Sequence, residues 1–402
     1  MLSKEKQIRN GILYVIRMLV SVLLPLLTLP ILSRVLSRAD YGILALAQIY
    51  AVFITSLCNV GLLLAFDRNF FEQAGERERQ TLLFSILTVV VCALMIGGIA
   101  TYGFRQCLSA LVIGSSEYGM LLFFAYCATA MTALNQYFFA YLKNSEAARH
   151  HLLFGLAEVS LTTAGSLFLV ALCGAGVIGL VLGQLIGAGG VFLLASGFIF
   201  RRAHMRFSNV HVLCCLRVSM PLMPRFFLGV INSQFDKYMI GLMRTVGSVG
   251  FYSIGQMFAY GVFLFMTTLQ NVFSPQVYQH MFKEGEAGGR SIGVYLTPFA
   301  CISAGFGLMV VLFAEELITL ILPGSYHGSI PIAVILASYY AILFFGKQPQ
   351  IIFSKQTHLI AILSAGRLAL NIALNVPFIM HWGAVGAAWA TLLTGLVSGC
   401  VS

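Results

Sequence analysis

Charge is what this 402-residue sequence has least of. Only 9% of its residues are Asp, Glu, Lys or Arg, against about 25% in an ordinary soluble domain. With 59% hydrophobic residues, that shortage excludes a water-soluble globular fold and places the chain in a bilayer. Long polar stretches are missing too. The longest connecting loops, about 67–81, 201–216, 273–290 and 314–329, are too short for a soluble domain, so any chemistry lies within the membrane or at its surface. A membrane polymerase or glycosyltransferase would want a sizeable outer loop or an Asp-x-Asp metal motif, and neither is present. No small-residue cleavage site follows the short apolar core after Lys4, Lys6 and Arg9, so the first segment is expected to stay. The nine cysteines show no disulfide or metal-ligand spacing. Most, such as Cys58, Cys92, Cys127 and Cys301, sit in apolar runs where a reduced thiol acts as a small hydrophobe. The histidines form no metal-binding pair with carboxylates and receive no role, and no cofactor is implied.

What is there is a series of apolar runs. Spans are expected at 11–33, 41–66, 82–104, 117–142, 152–173, 176–200, 217–241, 248–272, 291–313, 330–353, 359–380 and 384–402, each near the ~20 residues that cross a hydrocarbon core. With a cytoplasmic N-terminus, fifteen Lys and Arg fall on the inner side and only Arg34, Arg38, Arg105 and Arg244 on the outer. That asymmetry is the positive-inside bias, so the net charge of +10 reads as topology and not as a nucleic-acid footprint.

The chain also resembles itself. Tyr41-Gly42 to Gln48 lies opposite Val249-Gly250 to Gln256 at an offset of 208, and Arg17 meets Arg225 at the same offset. Gly176-Val177-Ile178-Gly179 meets Gly383-Ala384-Val385-Gly386 at 207. Two like apolar halves, 1–208 and 209–402, joined on the cytoplasmic side by the basic stretch 201–216, suit a transporter with a substrate path between repeats. By that match the twelfth span is expected to be cut short at Ser402.

A charge near the bilayer centre costs about 2.5–3.5 kcal/mol on the insertion scale and needs a partner, water or a reason. Five bases lie inside spans, Arg17, Arg225, Lys237, Lys347 and Arg367, against the acids Glu158 and Asp236. Arg17, Arg225, Lys347 and Arg367 sit six to eight residues from the cytoplasmic ends, about 9–12 Å deep at 1.5 Å per residue. They can snorkel to the interface, or form a cationic zone in a central cavity suited to a pyrophosphate. Arg17 and Arg225 could face each other across the pseudo-twofold axis. Asp236 and Lys237 point about 100° apart on their helix and are assigned to structure or gating ahead of substrate contact. Glu158 pairs with a cavity arginine or carries a proton. Asp67 and Arg68 cap the second span or guard the cavity mouth. Pro25 and Pro30 are expected to bend or break the first helix, as a static kink or as a hinge. Gly179, Gly183 and Gly187 are read as a close helix-packing seam.

The segment from Leu29 through Pro30 and Ser37-Arg38-Ala39-Asp40 to Tyr41-Gly42 resembles the first-loop signature of polysaccharide flippases. Asp236-Lys237-Tyr238-Met239-Ile240-Gly241 with Val249-Gly250-Phe251-Tyr252-Ser253 is similar to a second family segment, and Gly383-Ala384-Val385-Gly386-Ala387-Ala388-Trp389-Ala390-Thr391 to its last-helix pattern. The resemblance is to the Wzx-type oligosaccharide flippases of the multidrug/oligosaccharidyl-lipid/polysaccharide (MOP) exporter superfamily. It implies an all-α polytopic protein with about twelve transmembrane helices in two six-helix lobes around a cationic cavity. It also implies movement of undecaprenyl-pyrophosphate-linked sugar units, for O-antigen, capsule or another surface polysaccharide, across a bacterial inner membrane. A proton or sodium gradient could drive this, with a downstream polymerase and chain-length regulator as partners beside the membrane lipids. The alternative is a multidrug or other exporter of the same superfamily. Carriers of organic cations call for a lumen rich in acids, whereas here intramembrane bases outnumber acids five to two.

Overall fold

The computed structural model describes residues 4–73, 75–201, 206–284, 289–343 and 357–401, and every regular element among them is helical. The helices are α1 (Lys4–Val35), α2 (Arg38–Asn59), α3 (Leu62–Phe70), α4 (Glu76–Gly103), α5 (Arg105–Val112), α6 (Gly119–Asn144), α7 (Ala148–Leu167), α8 (Gly176–Phe200), α9 (Asn209–Met243), α10 (Val246–Glu284), α11 (Gly289–Ile321), α12 (Ile330–Ile342) and α13 (Thr357–Val401). Nine helical segments among the described residues are long and apolar enough to cross a membrane, and the protein is a multi-pass membrane protein. The expected spans at 217–241 and 330–353 fall on α9 and on α12, with 344–353 of the second outside the described residues.

The last two expected spans share α13, which breaks at Gly383 (φ 60°, ψ −135°). Only glycine adopts that conformation without strain. The chain reverses there. A methyl on Gly386 would overlap the carbonyl of Phe378, although eight residues of straight helix span about 12 Å. Arg244 caps the end of the first arm, its Nε donating to the Ile379 carbonyl at 3.0 Å and a terminal nitrogen to that of Met380.

One expectation about helix integrity needs correction. The apolar run 41–66 is not one helix: α2 ends at Asn59, Val60 and Gly61 take left-handed backbone (φ 50° and 70°), and α3 starts afresh. In α1 the helix continues through Pro25 and Pro30. The hydroxyls of Thr28 and Ser33 donate to the Pro25 and Pro30 carbonyls at 3.0 and 3.3 Å.

The internal repeat has a local physical basis. Ser37 caps α2 in a capping box: its hydroxyl accepts from the Asp40 amide at 3.2 Å, and the Asp40 carboxylate accepts from the Ser37 amide at 2.8 Å. At the same offset of 208, the Thr245 hydroxyl accepts from the Ser248 amide at 3.3 Å ahead of α10.

The helices gather into two compact units, Met1–Gln234 and Phe235–Ser402. The division falls within α9 because the first turns of α9 pack on the first unit. There Asn69 Nδ2 donates to Cys215 Sγ at 3.1 Å, and the Phe53 and Phe227 rings lie 4.7 Å apart. Inside the first unit, α7 and α8 meet along the glycine seam. A methyl on Gly183 would overlap the Ser166 backbone, and one on Gly187 would overlap Thr162 and the Glu158 carbonyl. The eight described cysteines are free thiols.

Candidate functional site

In the first unit the intramembrane charge is organised around Arg17. Its NH1 donates to Nε2 of His151 at 2.7 Å, which requires the neutral imidazole with an unprotonated Nε2. Its guanidinium carbon lies 3.6 Å from the centre of the Phe139 ring, a cation–π contact. The side chain crosses α7 where Gly155 has no Cβ; a methyl there would overlap it. Tyr14 closes the other side of His151, edge-on at 4.8 Å. No carboxylate pairs with Arg17 among the described residues. Glu158, two turns beyond His151 on α7, instead accepts from Asn135 Nδ2 at 3.2 Å. The same amide donates to the Ala188 carbonyl at 2.9 Å, and the buried Asn135 Oδ1 has no hydrogen bond among the described residues.

The second unit holds two clusters. Asp236 on α9 accepts three hydrogen bonds: from Tyr252 at 2.8 Å, Thr391 at 2.6 Å and Asn375 Nδ2 at 2.8 Å. Asn375 also donates to Asn371 Oδ1 at 2.9 Å. The carboxylate thereby ties α9 to α10 and to both arms of α13. Lys237, its neighbour, has no hydrogen bond or ion pair among the described residues. Separately, Arg367 on α13 donates to the Tyr339 hydroxyl of α12, with its guanidinium carbon 5.7 Å from that ring's centre.

Asp67 and Arg68 lie at the end of the α3 segment. Asp67 accepts from Asn144 at 2.8 Å and meets Lys143 at 3.4 Å, joining α3 to the end of α6. Arg68 pairs with Glu72 at 3.1 Å on the surface. The Arg225 side chain and Lys347 lie outside the described residues. Sequence reasoning missed His151, which it left without a role and which turns out to hold Arg17. It also missed Phe139, Asn135, Tyr252, Thr391, Asn375 and Tyr339. The pair Asn371 and Asn375, one turn apart inside an apolar span, was the available signal.

The two basic centres are therefore similar in kind. Each arginine at membrane depth makes its direct side-chain contacts with neutral aromatic or imidazole groups, and Glu158 acts on Arg17 only at a distance, without an ion pair among the described residues. Such a centre can bind an anion and cannot favour a cation.

Solved structures with the same fold are transporters. The chain is similar to "Lipid II flippase MurJ, inward closed conformation" with a TM-score of 0.73 at 17% identity, covering 97% of this chain and 86% of that one. It is similar to an inward-facing "multidrug resistance MATE family transporter of the MOP superfamily" with a TM-score of 0.75 at 13% identity, covering 95% and 92%. A MOP superfamily transporter from Pyrococcus furiosus, described as having a binding pocket of reversed polarity, matches with a TM-score of 0.56 at 15% identity over 99% and 94%. No curated protein matches the sequence. The family described as "Polysaccharide biosynthesis protein" matches residues 8–277, most of the chain, and the protein belongs to that family.

Proposed function

We propose that the protein flips undecaprenyl-pyrophosphate-linked oligosaccharide units from the cytoplasmic to the periplasmic leaflet of a bacterial inner membrane by alternating access. The observation that carries this reading is the neutral company of Arg17 and Arg367. A half-buried cation with no carboxylate in direct contact is costly, and an anionic cargo offsets that cost each time it binds. A pyrophosphate suits the two arginines because guanidinium groups pair phosphate oxygens in a bidentate fashion. Arg225 and Lys347 complete the cationic set in this reading. The halves 1–208 and 209–402 act as the two moving lobes. The polyprenyl tail stays in the bilayer, where it needs no protein path.

Asp236 is assigned to coupling, since a carboxylate joining three helices responds to any proton or sodium ion that reaches it. Glu158, Lys237, Asp67 and Arg68 belong to gating in the same scheme, with Pro25 and Pro30 as hinge residues of α1. A polymerase and a chain-length regulator working outside would withdraw the product. Export of organic cations is the weaker reading, because the basic centres oppose it.

The test is the sidedness of lipid-linked oligosaccharide in cells depleted of the protein, read with a periplasm-restricted lectin or glycosidase. Accumulation on the cytoplasmic face, relieved by the wild type and not by Arg17→Ala with Arg367→Ala at equal expression, is the expected result. Unchanged sidedness in a host with no second flippase overturns the reading.

A further inference from the structure

The second unit carries an aromatic group that pyrophosphate binding does not use. On α10, Gln256, Tyr260 and Phe263 recur at intervals of four and three residues and so share one face. The Tyr260 and Phe263 rings stack, with centroids 5.3 Å apart and planes inclined by 27°. Phe263 reaches Tyr340 of α12 at 5.4 Å, and Tyr340 adjoins Tyr339 at 5.2 Å. Gln256 Nε2 donates to the Tyr340 hydroxyl at 3.3 Å, and Arg367 donates to that of Tyr339. Four rings thus lead from the middle of α10 to the arginine.

Core packing accounts for Tyr339 and Tyr340. Both are buried, and each hydroxyl has a partner. It does not account for Tyr260. This residue lies well inside the span Val246–Leu269, is 42% exposed, and has no hydrogen bond at its hydroxyl among the described residues. Lipid-facing tyrosines gather at the interfaces, where the ring is dry and the hydroxyl wet. At mid-depth a lipid-facing hydroxyl costs several kcal/mol, on the order of 2 or more. Tyr260 is therefore explained by a polar space against its ring, and a polar space at this depth in a transporter holds cargo.

The chemistry of the face narrows the cargo. A pyranose ring has an apolar C–H face and a rim of hydroxyls. It fits a flat, amphipathic aromatic with nearby amide and phenol groups that both donate and accept. A bare lipid tail would use neither Gln256 nor the Tyr260 hydroxyl, and a phosphate would have no use for the stacked ring faces. We infer that Tyr260 and Phe263 form a carbohydrate-stacking shelf, with Gln256 beside it, that binds the saccharide of the lipid-linked cargo. This rests on the flippase reading above and adds the part of the site that recognises sugar.

The test uses the full-length protein in nanodiscs and two probes. One is lipid-linked oligosaccharide extracted from the host's own membranes; the other is synthetic undecaprenyl pyrophosphate. Wild type is expected to bind the glycosylated lipid at least about tenfold more tightly than the bare one. Tyr260→Leu keeps apolar bulk in the membrane; it is expected to abolish that preference and leave affinity for the bare lipid within about twofold. Tyr260→Phe, which keeps the ring, retains most of the preference. Persistence of the full preference in Tyr260→Leu overturns the shelf, as does an equal loss for both lipids in a variant whose thermal unfolding matches wild type. Wild type that binds neither lipid overturns the flippase reading itself. Wild type that binds both equally overturns the sugar site alone.

Discussion

Replacing Asp236 by Asn tests whether the three-helix knot of the second unit is real. The carboxylate accepts two hydroxyl bonds on Oδ2, from Tyr252 and Thr391, and one amide bond on Oδ1, from Asn375. Hydrogen bonds to a charged group contribute about 1.5–3 kcal/mol and neutral ones about 0.5–1.5, so neutralising the acceptor weakens the two hydroxyl bonds by about 1 kcal/mol each. The new amide also meets Asn375 donor to donor. Asn375 can relieve this by turning its amide over, since its Oδ1 is buried without a hydrogen bond, but it then loses its bond to Asn371. That adds about 1 kcal/mol, for a total near 3 kcal/mol.

Tyr252→Phe alone removes one charge-assisted bond, worth about 2 kcal/mol. In the Asp236→Asn background the same change removes only a neutral bond, about 1 kcal/mol, so the double variant falls short of additivity by about 1 kcal/mol. Unfolding by SDS in mixed micelles measures this. Both tryptophans, Trp382 and Trp389, lie between Asn375 and Thr391 in the sequence and report on this unit by fluorescence. If the two substitutions add to within about 0.3 kcal/mol, Tyr252 does not donate to Asp236 and the reasoning fails.

The glycine seam makes a paired prediction on one helix. Gly183→Ala drives a methyl into the Ser166 backbone and is expected to destabilise by about 1–3 kcal/mol, while Gly189→Ala enters open space and is neutral or stabilising by up to about 1 kcal/mol, both read by thermal unfolding in detergent. Ser37→Ala removes half of the α2 capping box and costs about 1 kcal/mol by the same assay. In single-cysteine variants, Cys214 is exposed and Cys215 fully buried, with burial pushing the Cys215 thiol up. Less thiolate and less access both slow its maleimide labelling, so Cys214 reacts faster throughout pH 7–8; equal rates would contradict the packing of α9 on Asn69. Gly155→Ala displaces Arg17 without removing its charge. The flippase reading expects it to lower transport, in the lectin sidedness assay, nearly as far as Arg17→Ala does.

The helical layout was legible because it follows from a length rule. Apolar runs near 20 residues have one stable arrangement in lipid, and the runs fall on helices, nine of which among the described residues are long and apolar enough to cross a membrane. Where the rule is blind, the reading failed. In the run 41–66 only Asn59 and Gly61 hinted at the left-handed turn at Val60 and Gly61, and the apolar residues on either side outweighed them. The prolines of α1 were read as a bend or a break, and the chain stays helical through both. In an apolar solvent the remaining backbone bonds are harder to give up, and nearby hydroxyls add to them. The charged centres were located and their surroundings were not. The partners of Asp236 lie 16, 139 and 155 residues away, and Tyr, Thr and Asn in an apolar helix look like ordinary filler until the helices are assembled.

Arg17 shows why the partners matter more than the charge. Counting bases against acids says that the span is electropositive, but it does not say whether Glu158 neutralises Arg17. The geometry separates them: Asn135 holds the carboxylate, while His151 and Phe139 hold the guanidinium. A direct Arg–Glu pair would be the obvious way to bury either group and would leave nothing for a ligand to gain. Without a direct pair the two charges act on each other only at a distance, and the guanidinium's donors stay free of a carboxylate. In the flippase reading proposed above, the stability given up at Arg17 in the empty protein is recovered as binding energy when an anionic cargo enters.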